Sequence, residues 1–128
     1  MDRALNFSVF PGLYGVCRLE VNAVIPNWIE TDDFYAITRT AEELSIICSQ
    51  HCIPETILCE RDWKVLKIEG QLDFALIGIL AEVTAILAKK KISVFAVSTY
   101  NTDYILVKTN VLGNAINALE ESGHYVNK

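Results

Sequence analysis

No apolar run in this chain reaches the roughly 18 residues of a membrane-spanning helix, because charged residues interrupt every candidate. Nor is there a charged-then-apolar leader: Met1-Asp2-Arg3 runs straight into strand-like sequence. These two absences predict a cytoplasmic protein with no membrane attachment. Positive charge is also scarce, with 11 Lys and Arg against 16 Asp and Glu, for a net charge of −5. Lys89-Lys90-Lys91 is the only basic cluster. It falls where a helix should end, complementing the helix dipole rather than a phosphate backbone, so nucleic-acid binding is excluded.

Catalytic signatures are missing as well. There is no G-x-S-x-G elbow, no P-loop and no Rossmann glycine pattern. The two histidines, His51 and His124, have no carboxylate or nucleophile companion in sequence. Glu20, Glu30 and Asp33 lie in connecting regions without the pairing that acid–base work needs. The sequence therefore predicts no catalytic residues, no cofactor and no enzyme. Cys48, His51, Cys52 and Cys59 carry metal-capable groups, but their spacing fits no zinc ribbon or finger. No metal site is predicted, and the four cysteines, Cys17 included, read as small buried hydrophobes.

What the chain does contain is apolar side chain, 52% of 128 residues, enough for a substantial core. In the first half, 5–10, 13–20 and 34–39 read as strands, with Pro11-Gly12 as a turn and 22–33 as a connection that holds Trp28 over the core edge. Thr40-Ala41-Glu42-Glu43 fits a capping box and predicts one short helical turn before a buried strand at 45–48. His51, beside a turn, is expected at the surface.

In the second half, 63–69 is a strand and Asp73 is placed to cap a helix over 74–90. Leu76, Ile79, Leu80, Val83, Ile86 and Leu87 form its apolar face. A second line of small residues, Gly78, Ala81, Ala85 and Ala88, allows either tight packing or close approach of a ligand near the helix start. A glycine inside a helix costs about 1 kcal/mol relative to alanine, so Gly78 asks for a reason. Strands at 92–97 and 104–108 flank Ser98-Thr99-Tyr100-Asn101-Thr102-Asp103. On pattern these six polar residues read first as a hairpin turn; the alternative is a recognition loop in which Asp103 pairs with an ammonium while backbone amides hold a carboxylate. A second helix begins at Asn110 as cap, turns Leu112, Ala115, Ile116 and Leu119 inward and ends at Gly123. His124 is expected to face the helix dipole or solvent, before a last strand at 124–126.

The order after residue 60 is β-α-β-β-α-β. With Gly78 at the helix start and the run from Lys91 to Val107 that contains Ser-Thr-Tyr-Asn-Thr-Asp, it resembles the ACT domain, within the small tandem branch that includes the CASTOR arginine sensors. Phe34 to Ser45 is similar to the first unit of that branch. The resemblance implies an α+β protein of two ferredoxin-like (βαββαβ, ACT-type) units in tandem, 1–61 and 62–128, the first with reduced helices. It further implies a non-catalytic regulatory module, a homodimer, that binds a free amino acid near the interface of ACT units. Carried over by position, the ligand-facing residues are Gly78, Ile79, Thr99, Tyr100, Asn101 and Asp103. The arginine sensors place an acid just before that glycine, whereas this chain has Leu76-Ile77, so a smaller or apolar amino acid is the expected ligand. The alternative is a ligand-free interaction protein of the same fold that acts through dimerisation.

Overall fold

In a computed structural model the protein is described at residues 4–31, 33–70 and 77–128. It divides into two compact units, one made of Met1–Pro11 and Lys64–Lys128, the other of Gly12–Trp63. The expected units, 1–61 and 62–128, place the N-terminal strand in the first. Here the boundary falls two residues later, and the first strand belongs with the C-terminal sequence. The physical reason is pairing. β1 (Asn6–Val9) runs antiparallel to β5 (Cys59–Ile68), with Phe7 opposite Ile68, and parallel to β8 (Tyr125–Asn127), with Phe7 opposite Val126.

The discontinuous unit carries both helices, α1 (Ile79–Lys89) and α2 (Leu112–Glu121), and the hairpin of β6 (Phe95–Ser98) and β7 (Asp103–Lys108). Its strands lie in the order β8-β1-β5-β7-β6. Alternation in the strands and four-residue spacing in the helices put one set of apolar side chains into one core. Ile79, Val83 and Leu87 come from α1, Ala115, Ile116 and Leu119 from α2, and Phe7, Leu66, Ile68, Ile105, Val107 and Val126 from the strands. Of the apolar faces expected from sequence, these helix residues are buried, and Leu80, Ile86 and Leu112 pack against them partly buried.

Helix α1 begins later than expected. Ile77 and Gly78 precede it, and Gly78 is its N-cap with φ of +82°. The expected cap Asp73, and Phe74 to Leu76, lie outside the described residues. Gly78 is therefore accounted for by a left-handed backbone, which glycine adopts without a Cβ penalty. It is not explained by close approach within the chain, since a Cβ there would meet nothing within 4 Å. Asn110 does not cap α2. It lies in a 3-10 turn, Thr109–Val111, and Val111 occupies the N-cap position without a side-chain bond. Gly123 does end the helix as expected, with φ of +96°. The amides of Gly123 and His124 donate to the carbonyls of Glu120 and Leu119, at 3.0 and 3.1 Å, the two bonds of a Schellman motif.

The Gly12–Trp63 unit is an antiparallel sheet of β3 (Ala36–Arg39), β4 (Leu44–Ser49), β2 (Tyr14–Leu19) and the first residues of β5. Cys17, Leu44, Ile46, Cys48 and Ile53 form its core, with Trp28 packed at the edge as expected. Among the described residues it has no α-helix. The helical turn expected at Thr40 is instead the β3–β4 hairpin, in which Arg39 pairs with Leu44. Thr40 Oγ1 accepts the amides of Glu42 and Glu43 at 3.1 and 3.2 Å, and the Thr40 amide donates to the Glu43 carbonyl. The amide–hydroxyl bond of a capping box is present, but it closes a turn. His51 is exposed, as expected, and its Nε2 lies 2.8 Å from Glu30 Oε1.

His124 departs from expectation. It is 4% exposed, edge-on to Phe7 with ring centroids 6.0 Å apart. Its Nδ1 accepts the Leu5 amide at 3.0 Å, which leaves the proton of the neutral ring on Nε2, 3.8 Å from Glu82 Oε2. Burial holds the imidazole below its ordinary value near 6.5, against the opposing pull of Glu82. In the unfolded chain the same ring protonates at about pH 6.5. Below that pH the unfolded state binds more protons, and stability must fall as acid is added until the folded-state value is passed. The expected result is a urea midpoint that drops between about pH 7.5 and about pH 5.5. In His124→Gln that drop should be much smaller. An equal drop in both proteins would assign the acid sensitivity to other groups.

Candidate functional site

All six residues expected to face a ligand fall in the discontinuous unit, in two groups. The first is the start of α1. The backbone amides of an opening helical turn have no intrahelical partner, and Gly78 has no side chain with which to cap them. The Gly78 carbonyl begins the helix by accepting the Glu82 amide at 2.9 Å. Ile79 is 4% exposed and its side chain is part of the core. Its contribution to a ligand is thus restricted to its backbone amide, a distinction the sequence did not make. Ile77, just before, is 90% exposed.

The second group is the β6–β7 hairpin. Ser98 pairs with Asp103, so the loop proper is Thr99 to Thr102. The segment is a hairpin turn that fixes its own polar groups. The Thr99 amide donates to the Thr102 carbonyl at 2.9 Å, the Thr99 hydroxyl donates to the same carbonyl at 3.0 Å, and Thr99 Oγ1 faces the Thr102 amide at 3.3 Å. Thr99 therefore shapes the loop rather than presenting its hydroxyl. Tyr100, 75% exposed, and the exposed Asn101 form the tip, while Asp103 is half-buried where β7 begins.

Thr102 was not among the expected site residues, and it is the anchor. It is 3% exposed, and its hydroxyl donates to the Ile68 carbonyl at 2.7 Å, across 34 residues of sequence. This bond pins the hairpin to the end of β5, from which the chain leads, ten residues on, to Gly78. A polar residue in a polar run carries no local sign of such a bond. The Val65–Ile68 stretch of β5 supplies only a backbone acceptor, which sequence cannot single out.

Elsewhere in this unit a groove of about 410 Å3 is lined by Glu82, Ala85, Ile86, Lys89, Lys90 and the end of α2. It contains none of the six residues. Among the described residues, no group of three or more His, Cys, Asp or Glu is arranged to hold a metal ion, and no helix is long and apolar enough to cross a membrane.

The sequence pattern of the ACT domain matches residues 58–121, and a second pattern, of an N-terminal domain, matches 12–56. The chain is 37% identical over 95 residues to the human cytosolic arginine sensor for mTORC1 subunit 1. That match takes in 68% of this chain and 29% of the relative, so this chain spans well under half the length of the curated relatives it matches. A crystal structure of a protein from Agobacterium tumefaciens is similar with a TM-score of 0.92 and 33% identity, over 98% of this chain and 93% of that one. The regulatory subunit of aspartate kinase from Thermus thermophilus shares the fold at a TM-score of 0.61 and 9% identity, covering 94% of this chain and 99% of its own. Helix, hairpin and sequence pattern converge: this α+β chain belongs to the ACT domain family.

Proposed function

We propose that this chain is a non-catalytic regulatory module that binds a free amino acid at the start of α1 and the β6–β7 hairpin. The observation that carries this reading is a helix N-terminus whose cap is a left-handed glycine, in the same unit as a hairpin whose second strand opens on Asp103. Amides at a helix start favour an anion, which is what an amino acid's carboxylate supplies. Asp103 offers the opposite charge for the ammonium, and Tyr100 with Ile77 offers exposed apolar surface for a side chain. The named function of the human relative, arginine sensing, supports an amino acid as the ligand class. Apolar Ile77 beside Gly78 favours a smaller or apolar amino acid over arginine. Homodimerisation is the proposed output: binding would shift the population of a subunit contact, with no chemical step.

A thermal-shift screen of the full chain against the twenty amino acids tests the reading. A ligand present at about 100 times its dissociation constant stabilises by about 2.7 kcal/mol, and one responder should stand out. Asp103→Ala should then weaken that ligand roughly 10–100-fold, the effect of deleting a hydrogen bond to a charged group. Unchanged affinity would remove Asp103 from the site. The second reading, an interaction module without a ligand, is favoured by the exposure of Ile77 and Tyr100. It predicts self-association that ignores every amino acid and weakens in Tyr100→Ser, measured by sedimentation.

A further inference from the structure

The four cysteines of the chain, all free thiols, gather in the Gly12–Trp63 unit. The Cys17 and Cys59 sulfurs are 3.6 Å apart and those of Cys48 and Cys52 are 3.7 Å apart. We propose that Cys17 and Cys59 are a redox pair that closes to a reversible cross-strand disulfide when the chain meets hydrogen peroxide. The pair contains no residue of the amino-acid site and does not depend on that reading.

Register selects this pair. Cys17 on β2 is directly opposite Cys59 on β5. The Arg18 amide donates to the Leu58 carbonyl at 3.0 Å, so Arg18 and Leu58 are a hydrogen-bonded pair and the cysteines occupy the adjacent non-bonded position. There Cα atoms lie about 4.5 Å apart and side chains are closest. A disulfide accepts Cα separations of about 4.4–6.8 Å, so side-chain rotation brings the sulfurs together while the strands stay in register. Cys48 is opposite Gly15, not Cys17, which makes Cys17 and Cys48 a diagonal pair. Diagonal Cα atoms are about 7–8 Å apart, beyond the reach of a disulfide. Cys52 turns its thiol to the Ser49 carbonyl at 2.9 Å. Gly15 keeps the space that the Cys59 sulfur fills, since a Cβ there would lie 2.7 Å from it.

Protonation assigns the roles. The Cys17 thiol is lowered to about 7 by a hydrogen bond with Cys48, opposed by burial and helped by Cys59 and the charge of Arg61. Burial pushes Cys59 up to about 12, and Cys48 is held well above the ordinary thiol value by its bond to Cys17 and by burial. Cys17, 2% exposed, is therefore the thiolate of the pair, and the half-buried Cys59 beside it is the resolving thiol. Its sulfur attacks one peroxide oxygen, the O–O bond breaks, and the departing hydroxide takes up the proton that Cys17 had released, giving water and a sulfenic acid. Cys59 Sγ then displaces the hydroxyl from Cys17 Sγ, and that hydroxide leaves as water with the Cys59 proton. Two thiols and one peroxide become one disulfide and two waters.

The test treats the reduced full chain with hydrogen peroxide, alkylates the remaining thiols and maps the digest by mass spectrometry without reduction. The expected product links the Cys17 and Cys59 peptides, two hydrogens lighter than the pair, with Cys48 and Cys52 alkylated, and dithiothreitol reverses it. In Cys59→Ser, Cys17 should be trapped by dimedone as the sulfenic acid. The initial rate should rise about tenfold from about pH 6 to about pH 8 and then level off, following the Cys17 thiolate. A link between Cys48 and Cys52, a link between chains, or four alkylated thiols after peroxide treatment would each overturn the proposal, whatever the variant does.

Discussion

Phe7→Ala is expected to destabilise the protein by about 3–5 kcal/mol and to lower its melting midpoint by roughly 10–20 °C. Phe7 is 0% exposed and sits in one cluster with Leu66, Ile68, Ile105 and Val126. Its strand is central, not peripheral: β1 lies between β5 and β8 and bonds to both. The Glu69 amide donates to the Asn6 carbonyl at 2.7 Å and the Tyr125 amide to the Leu5 carbonyl at 2.9 Å. Truncating the ring opens a cavity against both neighbouring strands and withdraws the edge contact on His124. A residue further along, Ser8 is only half-buried, and Ser8→Ala should cost well under 1 kcal/mol apart from its bond to Glu69. Hydrogen exchange in α2 and β8 should quicken in Phe7→Ala in step with the lost stability. If those amides stayed protected, the N-terminal strand would not belong to the unit that carries the helices.

Sequence could not show this placement, because strand pairing is decided by partners distant in sequence, Ile68 and Val126 for Phe7, and leaves no local mark. Phe7 alternates as a strand residue should, and nothing near it names Ile68 or Val126. Where a signal is local and repeated, reading succeeded. Ile79, Val83 and Leu87 recur at four, and Gly123 follows the last turn of α2. Where one local signal serves two structures, reading failed. Thr40 with Glu43 makes the same amide–hydroxyl bond at a helix start and in the β3–β4 hairpin. The backbone pairing of β3 with β4, which brings Leu44 opposite Arg39, decides for the hairpin. Ile77 continues the apolar pattern in sequence, yet the positive φ of Gly78 makes it the N-cap and starts α1 at Ile79. His124 next to a helix-ending glycine looks solvated, yet a buried Leu5 amide needs its acceptor nitrogen. For the two candidate segments, sequence names the residues but not what each one has left to offer. Ile79 can offer only its backbone and Thr99 is spent on the turn, because hydrogen-bond partners and side-chain direction are set by tertiary contacts.

Thr102→Val is the substitution that separates the hairpin's structural role from its proposed role in recognition. Valine keeps the shape of threonine but removes the hydroxyl that donates to Ile68 at 2.7 Å. The carbonyl then stays buried without that donor, a loss of about 1–3 kcal/mol. Thr102→Ser keeps the oxygen and should recover most of that stability. Backbone pairing of Thr99 with Thr102 survives both changes, so the turn itself should persist while its anchor to β5 is lost. A hairpin that reads a ligand must be held in place before the ligand arrives. Thr102→Val should therefore weaken amino-acid binding roughly tenfold, although its side chain is too buried to touch a ligand, and Thr102→Ser should restore it. Calorimetric titration of the responding amino acid into both variants measures this directly. Lost stability with unchanged affinity would mean that the hairpin is scaffold alone, leaving recognition to the start of α1.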